Sequence, residues 1–325
     1  MPSPHNRELA FRRAFFTGES PVQAASAVGN RITHALDSCS PGQHRFRALL
    51  ALLELNAGRS FPPDPTTKGA VELSTPAQWE LGRWHVDLSG RPGTRYSPRY
   101  NQFVVLTDAP AELMGVVLRS PDPADPRGVP GLRPLNAHPH GQWFRFRHVP
   151  TGAVLRIELD EPNQPPRRSV SGYPLSWEIA SRAAALSDDE QRTLDAVPPM
   201  SDDAAQLISA LFVRLTMNEP GVRWLDNHEP AGSPWLGLWG VDGHWGLHTT
   251  SRQAVDGLAR LLTDPVIGLG DAGVLATTEA SIIVGYRAAT LRLSLATPMR
   301  PRVRRTRVAR TTRRSHRGRV EEESW

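Results

Sequence analysis

One cysteine, Cys39, and one lysine, Lys68, stand in 325 residues. A single thiol excludes a disulfide framework and any zinc site built on cysteines. No run of about 18 apolar residues exists, which excludes a helical membrane span. Arg12-Arg13 stands near the start, but Thr17-Gly18-Glu19-Ser20-Pro21 follows where an export signal carries its apolar stretch, so a cytoplasmic protein is expected. Helical and strand patterns fall in separate blocks with no regular βαβ alternation, and no internal repeat of solenoid length is present. The scarcity of lysine leaves arginine to carry the positive charge, a coding bias rather than a chemistry.

The rest of the composition is that of an ordinary globular protein, 39 % apolar and 22 % charged, with a formal net charge of +5. That charge is unevenly spread. Residues 300–319 hold ten arginines and no acid, and without residues 300–325 the balance is 28 basic to 30 acidic. So dense an arginine run repels itself, and 300–325 reads as a disordered basic tail that suits a polyanionic partner.

The expected fold class is α+β. Residues 1–60 read as a helical segment, with Phe46, Leu49, Leu50, Leu52, Leu53 and Leu55 on one wide face before Gly58. Residues 61–161 read as a strand-rich core. Its strands are expected at 84–88, 103–107, 114–119, 143–148 and 153–159, the last two joined by the hairpin signal Pro150-Thr151-Gly152. Residues 89–100 and 120–142 read as loops. Residues 162–299 form an α+β C-terminal half, with helices over 177–197, 204–217 and 252–263, the last two started by Ser201 and Ser251. Strands are expected within 221–250 and at 280–286 and 289–295.

Three motifs are read as ordinary structure first. Residues 21–32 are patterned like a helix-turn-helix around Ala25, Gly29 and Ile32, but Ser38 falls where an apolar residue is wanted. Gly268-Leu269-Gly270-Asp271-Ala272-Gly273 matches a dinucleotide-binding spacing, yet a helix pattern precedes it and Arg292 lies in the region where the acid is needed. Trp235–His248 carries three tryptophans, glycines at every third position and two histidines that share a strand face, a ligand-site wall or a tightly turned hairpin.

His85-Val86-Asp87 carries the sharpest chemistry. Residues i and i+2 of a strand point to one side, so an imidazole and a carboxylate there can grip one ion. A glycine- and arginine-rich loop follows, then apolar strands, then His148, 61 residues after Asp87, and Arg156, eight residues further. This order resembles the Fe(II)/2-oxoglutarate-dependent oxygenase family over roughly residues 80–160. The resemblance implies a distorted double-stranded β-helix (jelly-roll) core with flanking helices. It also implies Fe(II) on His85, Asp87 and His148, with 2-oxoglutarate chelating the iron and salt-bridged to Arg156. His244 or His248 is the alternative distal ligand. The implied activity is hydroxylation of a peptide or small molecule. The expectation extends to a residue of a ribosomally made peptide, as for the aspartate β-hydroxylases of cinnamycin-type lanthipeptide (peptide antibiotic) pathways. The competing expectation is a non-catalytic nucleic-acid-binding protein that uses the N-terminal helices and the arginine tail.

Overall fold

The computed structural model describes residues 4–29, 34–56, 86, 88, 94–118, 128–138, 140–160, 185–215, 217, 235–249 and 251–295. Among them, seven helices and ten strands make an α+β protein. Serine side chains start five of the helices. Ser20, Ser40, Ser187, Ser201 and Ser251 each accept a backbone N–H three residues on, at the heads of α2 (Pro21–Val28), α3 (Pro41–Leu55), α5 (Asp188–Asp195), α6 (Asp202–Arg214) and α7 (Arg252–Thr263). The other two are α1 (Pro4–Thr17) and α4 (Pro110–Val117).

The strands form two five-stranded sheets with one connectivity. Sheet one holds β1 (Arg95–Arg99), β2 (Gln102–Thr107), β3 (Leu132–Ala137), β4 (Trp143–His148) and β5 (Val154–Leu159), in the order β1-β2-β5-β4-β3. Sheet two holds β6 (Trp235–Val241), β7 (His244–Thr249), β8 (Ala272–Thr277), β9 (Ser281–Tyr286) and β10 (Ala289–Leu295), in the order β6-β7-β10-β9-β8. In each, the second and fifth strands pair in parallel and every other pair is antiparallel. In each, a helix links the second strand to the third: α4 in one, α7 in the other.

The likeness reaches single residues. Thr107 and Thr249 end the second strands, and each Oγ1 accepts the N–H two residues on. A turn with positive φ precedes each third strand, at Gly131 (77°) and at Asp271 (69°). Each third strand bulges at a leucine, Leu135 and Leu275. The chain is thus an architectural duplication, and 95–159 superposes in connectivity on 235–295. One continuous apolar core runs through both halves.

Two helices at the centre join the halves. α3 is apolar over most of its surface and buried over most of its length. It packs against α6. At its head, the Gln43 amide bonds both Val154 N and Val154 O of sheet one. At its foot, Asn56 does the same for Leu238 of sheet two, at 3.1 and 2.8 Å. α6 reaches the other way, and Phe212 packs on Tyr96 of sheet one with ring centroids 4.9 Å apart.

Several expectations change. Of the helix expected over 177–197, residues 185–187 are not helical, and Ser187 caps a helix that starts at Asp188. The segment expected as a strand over 114–119 is helical at 110–117, because Pro110 starts a helix and Leu113, Met114 and Val117 share its buried side. The loops expected over 89–100 and 120–142 contain β1 and β3. Both are edge strands, where Pro98 and Pro134 cost no ladder bond on the outer side.

Buried arginines lock the segment 34–37 between these elements. Arg214 uses all five of its donors: on both Asp37 oxygens (2.9 and 2.8 Å), on Ala210 O and Leu261 O (3.0 and 3.1 Å), and on Ile267 O. Arg47 donates to Leu36 O, and Arg13, paired with Glu19, donates to His34 O. Arg214→Lys is expected to destabilise the fold by about 3–5 kcal/mol, since one ammonium cannot serve five planar acceptor directions. Equilibrium denaturation checks it, and a variant within about 1 kcal/mol of wild type would refute the keystone role.

Candidate functional site

His85 and Asp87 lie outside the described residues. His148 closes β4 on the sheet face that Phe144 and Phe146 share, and it is 1 % exposed. Its ring sits 4.9 Å from Phe46. Nε2 lies 3.1 Å from Pro130 O and Nδ1 lies 2.8 Å from Thr151 Oγ1. A carbonyl only accepts, so Nε2 carries the proton and Nδ1 accepts from the threonine. The lone pair that a metal would take is therefore in use. Burial holds the imidazole neutral, with its pKa pulled down to about 4.

Arg156 stands on the other side of the same sheet. In β5, Leu155, Ile157 and Leu159 face the core, while Val154, Arg156 and Glu158 face outward. His148 and Arg156 thus project from opposite faces of sheet one and do not line one pocket. Among the described residues, no three His, Cys, Asp or Glu side chains gather as a metal-binding group. Of the expected iron and keto-acid set only His148 and Arg156 are described, and these two stand apart. His244 and His248 sit on the outer face of sheet two. His244 Nδ1 lies 3.0 Å from Thr290 Oγ1, and the His248 ring lies 4.1 Å from that of Trp239.

A recess of about 790 Å³ opens where segment 34–39 meets the loop that leads into β8. His34, Cys39, His44, Tyr286 and Arg287 line it, with the Gly268–Asp271 turn. Burial pulls the His34 pKa down to about 4. Asp37 is held by Arg214, and Asp264 accepts from Val266 N and Ile267 N, so both are committed to the fold. In the first half the equivalent turn is occupied by the chain itself: Gly131 N donates to Glu190 at 2.8 Å, and a side chain at Gly131 would meet Pro150 and Leu186. Burial works against the Glu190 carboxylate, but Arg133, Ser187 N and Gly131 N hold it down to about 2.

The outer face of sheet one carries the concentrated charge. Cross-strand register places Arg145 beside Arg156, and Arg147 beside both Val154 and Arg133. Arg99 lies close enough to Arg156 to be felt electrostatically. Arg133 pairs with Glu190, and Arg156 contacts Glu158 at 2.9 Å while its guanidinium lies 5.1 Å over the Trp143 ring. Among the described residues Arg99, Arg145 and Arg147 have no carboxylate partner, and Nε of Arg99 and Arg145 is buried without a hydrogen bond. Burial, with the charges of Arg99 and Arg145, pulls Arg156 below the usual arginine range against the opposing pull of Glu158. Sequence reasoning singled out Arg156 and missed its neighbours. The alternation Trp143-Phe144-Arg145-Phe146-Arg147 was the available signal: every second residue of a strand shares a face.

The neutral state of His148 has a measurable consequence. In the unfolded chain its imidazole takes a proton near pH 6.5, in the fold only near 4. Between those values the unfolded state binds more protons, so stability falls as pH drops through that window. The His148 share is about 2 kcal/mol between pH 7 and 5. His148→Phe is expected to lessen the acid sensitivity of the melting temperature by that share, and an unchanged pH profile would contradict the burial argument.

No protein-family model, curated protein or solved structure matches this chain.

Proposed function

We propose that this chain is a non-catalytic binding protein for single-stranded nucleic acid, which docks on the outer face of sheet one. The observation behind it is the arginine cluster of that face: Arg145 pairs in register with Arg156, Arg147 beside it is exposed, and no ion pair holds Arg99, Arg145 or Arg147 among the described residues. Like charges gathered on one face repel, and a phosphate reached by the exposed Arg147 and its neighbours offsets that repulsion with charge-assisted hydrogen bonds. The half-buried Trp143 ring beside Arg156 adds an aromatic surface to the same face. The ten arginines of 300–319 supply a second source of positive charge. No helix among the described residues is long and apolar enough to cross a membrane.

Phosphate contacts release counterions, so affinity falls linearly in log salt with a slope of about −0.7 per neutralised phosphate on a single strand. Fluorescence anisotropy of a labelled single-stranded oligonucleotide, titrated with the full chain at several salt concentrations, reads that slope. Arg145→Gln with Arg147→Gln is expected to weaken binding about tenfold and to lessen the slope by about 1.4. The tail is unchanged in the variant, so the difference belongs to the sheet. An unaltered slope would remove sheet one from the interface.

The rival reading is an Fe(II)/2-oxoglutarate-dependent hydroxylase on a distorted double-stranded β-helix core. It would need a distal ligand other than His148 as that side chain is now bonded. Fe(II) with 2-oxoglutarate, added anaerobically, is expected to leave the melting temperature unchanged. A rise that His85→Ala abolishes would restore the oxygenase reading.

A further inference from the structure

The outer face of sheet two is built differently from its counterpart. Register pairs Trp239 with Gly246 and Gly237 with His248 across β6 and β7. A Cβ placed on Gly246 would lie 3.3 Å from Trp239 Nε1, and one on Gly237 would lie 3.4 Å from Trp239 Cζ3. The pyrrole edge of the indole thus lies against one glycine and the benzo edge against the other, with Asn56 Oδ1 3.0 Å from the same Gly237 position. The indole remains half-buried, beside the His248 ring.

Arg292 stands across Gly246 from Trp239 in the register of the sheet. It pairs in register with Gly246 on one side and with Ile283 on the other. Its counterpart in sheet one is Arg156, which pairs with Val104 and Arg145. The duplicated position therefore holds arginine twice, but its surroundings differ. Two residues along, Arg156 has Glu158, whereas Arg292 has Ser294. Arg292 is exposed, and no ion pair holds it among the described residues. None of the outward-facing strand residues of sheet two is acidic: Gly237, Trp239, Val241, His244, Gly246 and His248 on one side of Arg292 have Ser281, Ile283 and Gly285 on the other.

From this geometry we infer that sheet two carries a stacking site for one base of a single-stranded nucleic acid, with Trp239 as the platform and Arg292 as the phosphate contact. This rests on the nucleic-acid reading and extends it to a second face. An indole accepts any planar or apolar ring face, and it is the adjoining guanidinium, with no carboxylate partner among the described residues, that selects a phosphate-linked base over an uncharged sugar.

The experiment compares, by anisotropy, the full chain on a labelled oligothymidylate and on an abasic oligonucleotide of the same length, which keeps the phosphates and lacks the bases. Wild type is expected to prefer the base-containing strand about tenfold. Trp239→Leu is expected to bring that ratio close to one while leaving abasic affinity unchanged, and Arg292→Gln to weaken both strands with the ratio kept. Equal wild-type affinity for the two strands would overturn the stacking site and leave the nucleic-acid reading intact. Binding to neither strand would overturn that reading itself. A Trp239-dependent shift with an uncharged oligosaccharide, and none between the two strands, would place a glycan there instead. The wild-type comparison needs no variant, so the inference stays refutable even where Trp239→Leu fails to fold.

Discussion

Three buried guanidinium groups close on four residues, and the two halves of the molecule meet around them. Arg13 bonds His34 O, Arg47 bonds Leu36 O and Arg214 grips the Asp37 carboxylate. All three side chains are fully buried. Two carboxylates, Glu19 and Asp37, stand against three positive charges, and Arg47 keeps an Nε without a hydrogen bond. Such groups stabilise little in net terms, because desolvation offsets attraction. Their effect is on uniqueness: a segment held by planar forks from three helices has one position. That position puts α6, the loop after α7 and the edge strand β1 in register with one another.

Around that centre a single sheet topology is used twice, and the two copies have diverged on their outer faces. Their inner faces follow the same rule, with apolar side chains at corresponding places such as Leu155 and Leu291, or Ile157 and Leu293. Their outer faces do not. One is floored by arginine stems and the other by glycines. One recess is filled by the chain through Leu186 and Glu190, while the corresponding space in the second half stays open. Duplication lets the core stay conserved in architecture while each surface is set independently.

How much of this was legible in the sequence depended on how local the cause was. Ser201 and Ser251 announce α6 and α7 because a cap needs only its own next three residues. β4, β5, β9 and β10 announce themselves by alternation, since each has an inner and an outer side. The edge strands β1, β3 and β8 do not. They hold Pro98, Pro134 and Gly273, and their extended form is imposed by a neighbouring strand. The duplication was equally hidden, because it lives in pairing order, and the few residues the halves share, such as Thr107 and Thr249, are too scattered to mark a repeat. His148 and Arg156 show how fine the limit is. Their separation along the chain was plain, yet their faces depend on the turn between them. Four residues, Val149 to Gly152, separate the paired His148 and Ala153. One residue more or fewer would have put imidazole and guanidinium on the same side.

The two outermost third strands also differ in how they meet the surrounding solution. β3 has Pro134 in its length and an Arg133–Glu190 ion pair across its start. β8, Ala-Gly-Val-Leu-Ala-Thr, has neither proline nor charge, and Val274 and Leu275 are 50 % and 64 % exposed. Among the described residues no strand pairs with its outer side, and the Leu275 bulge interrupts that row of amides and carbonyls. The bulge is therefore what separates this edge from a regular pairing surface. A deletion there would straighten the strand into a template for sheet growth from molecule to molecule, with no change to the core beneath it.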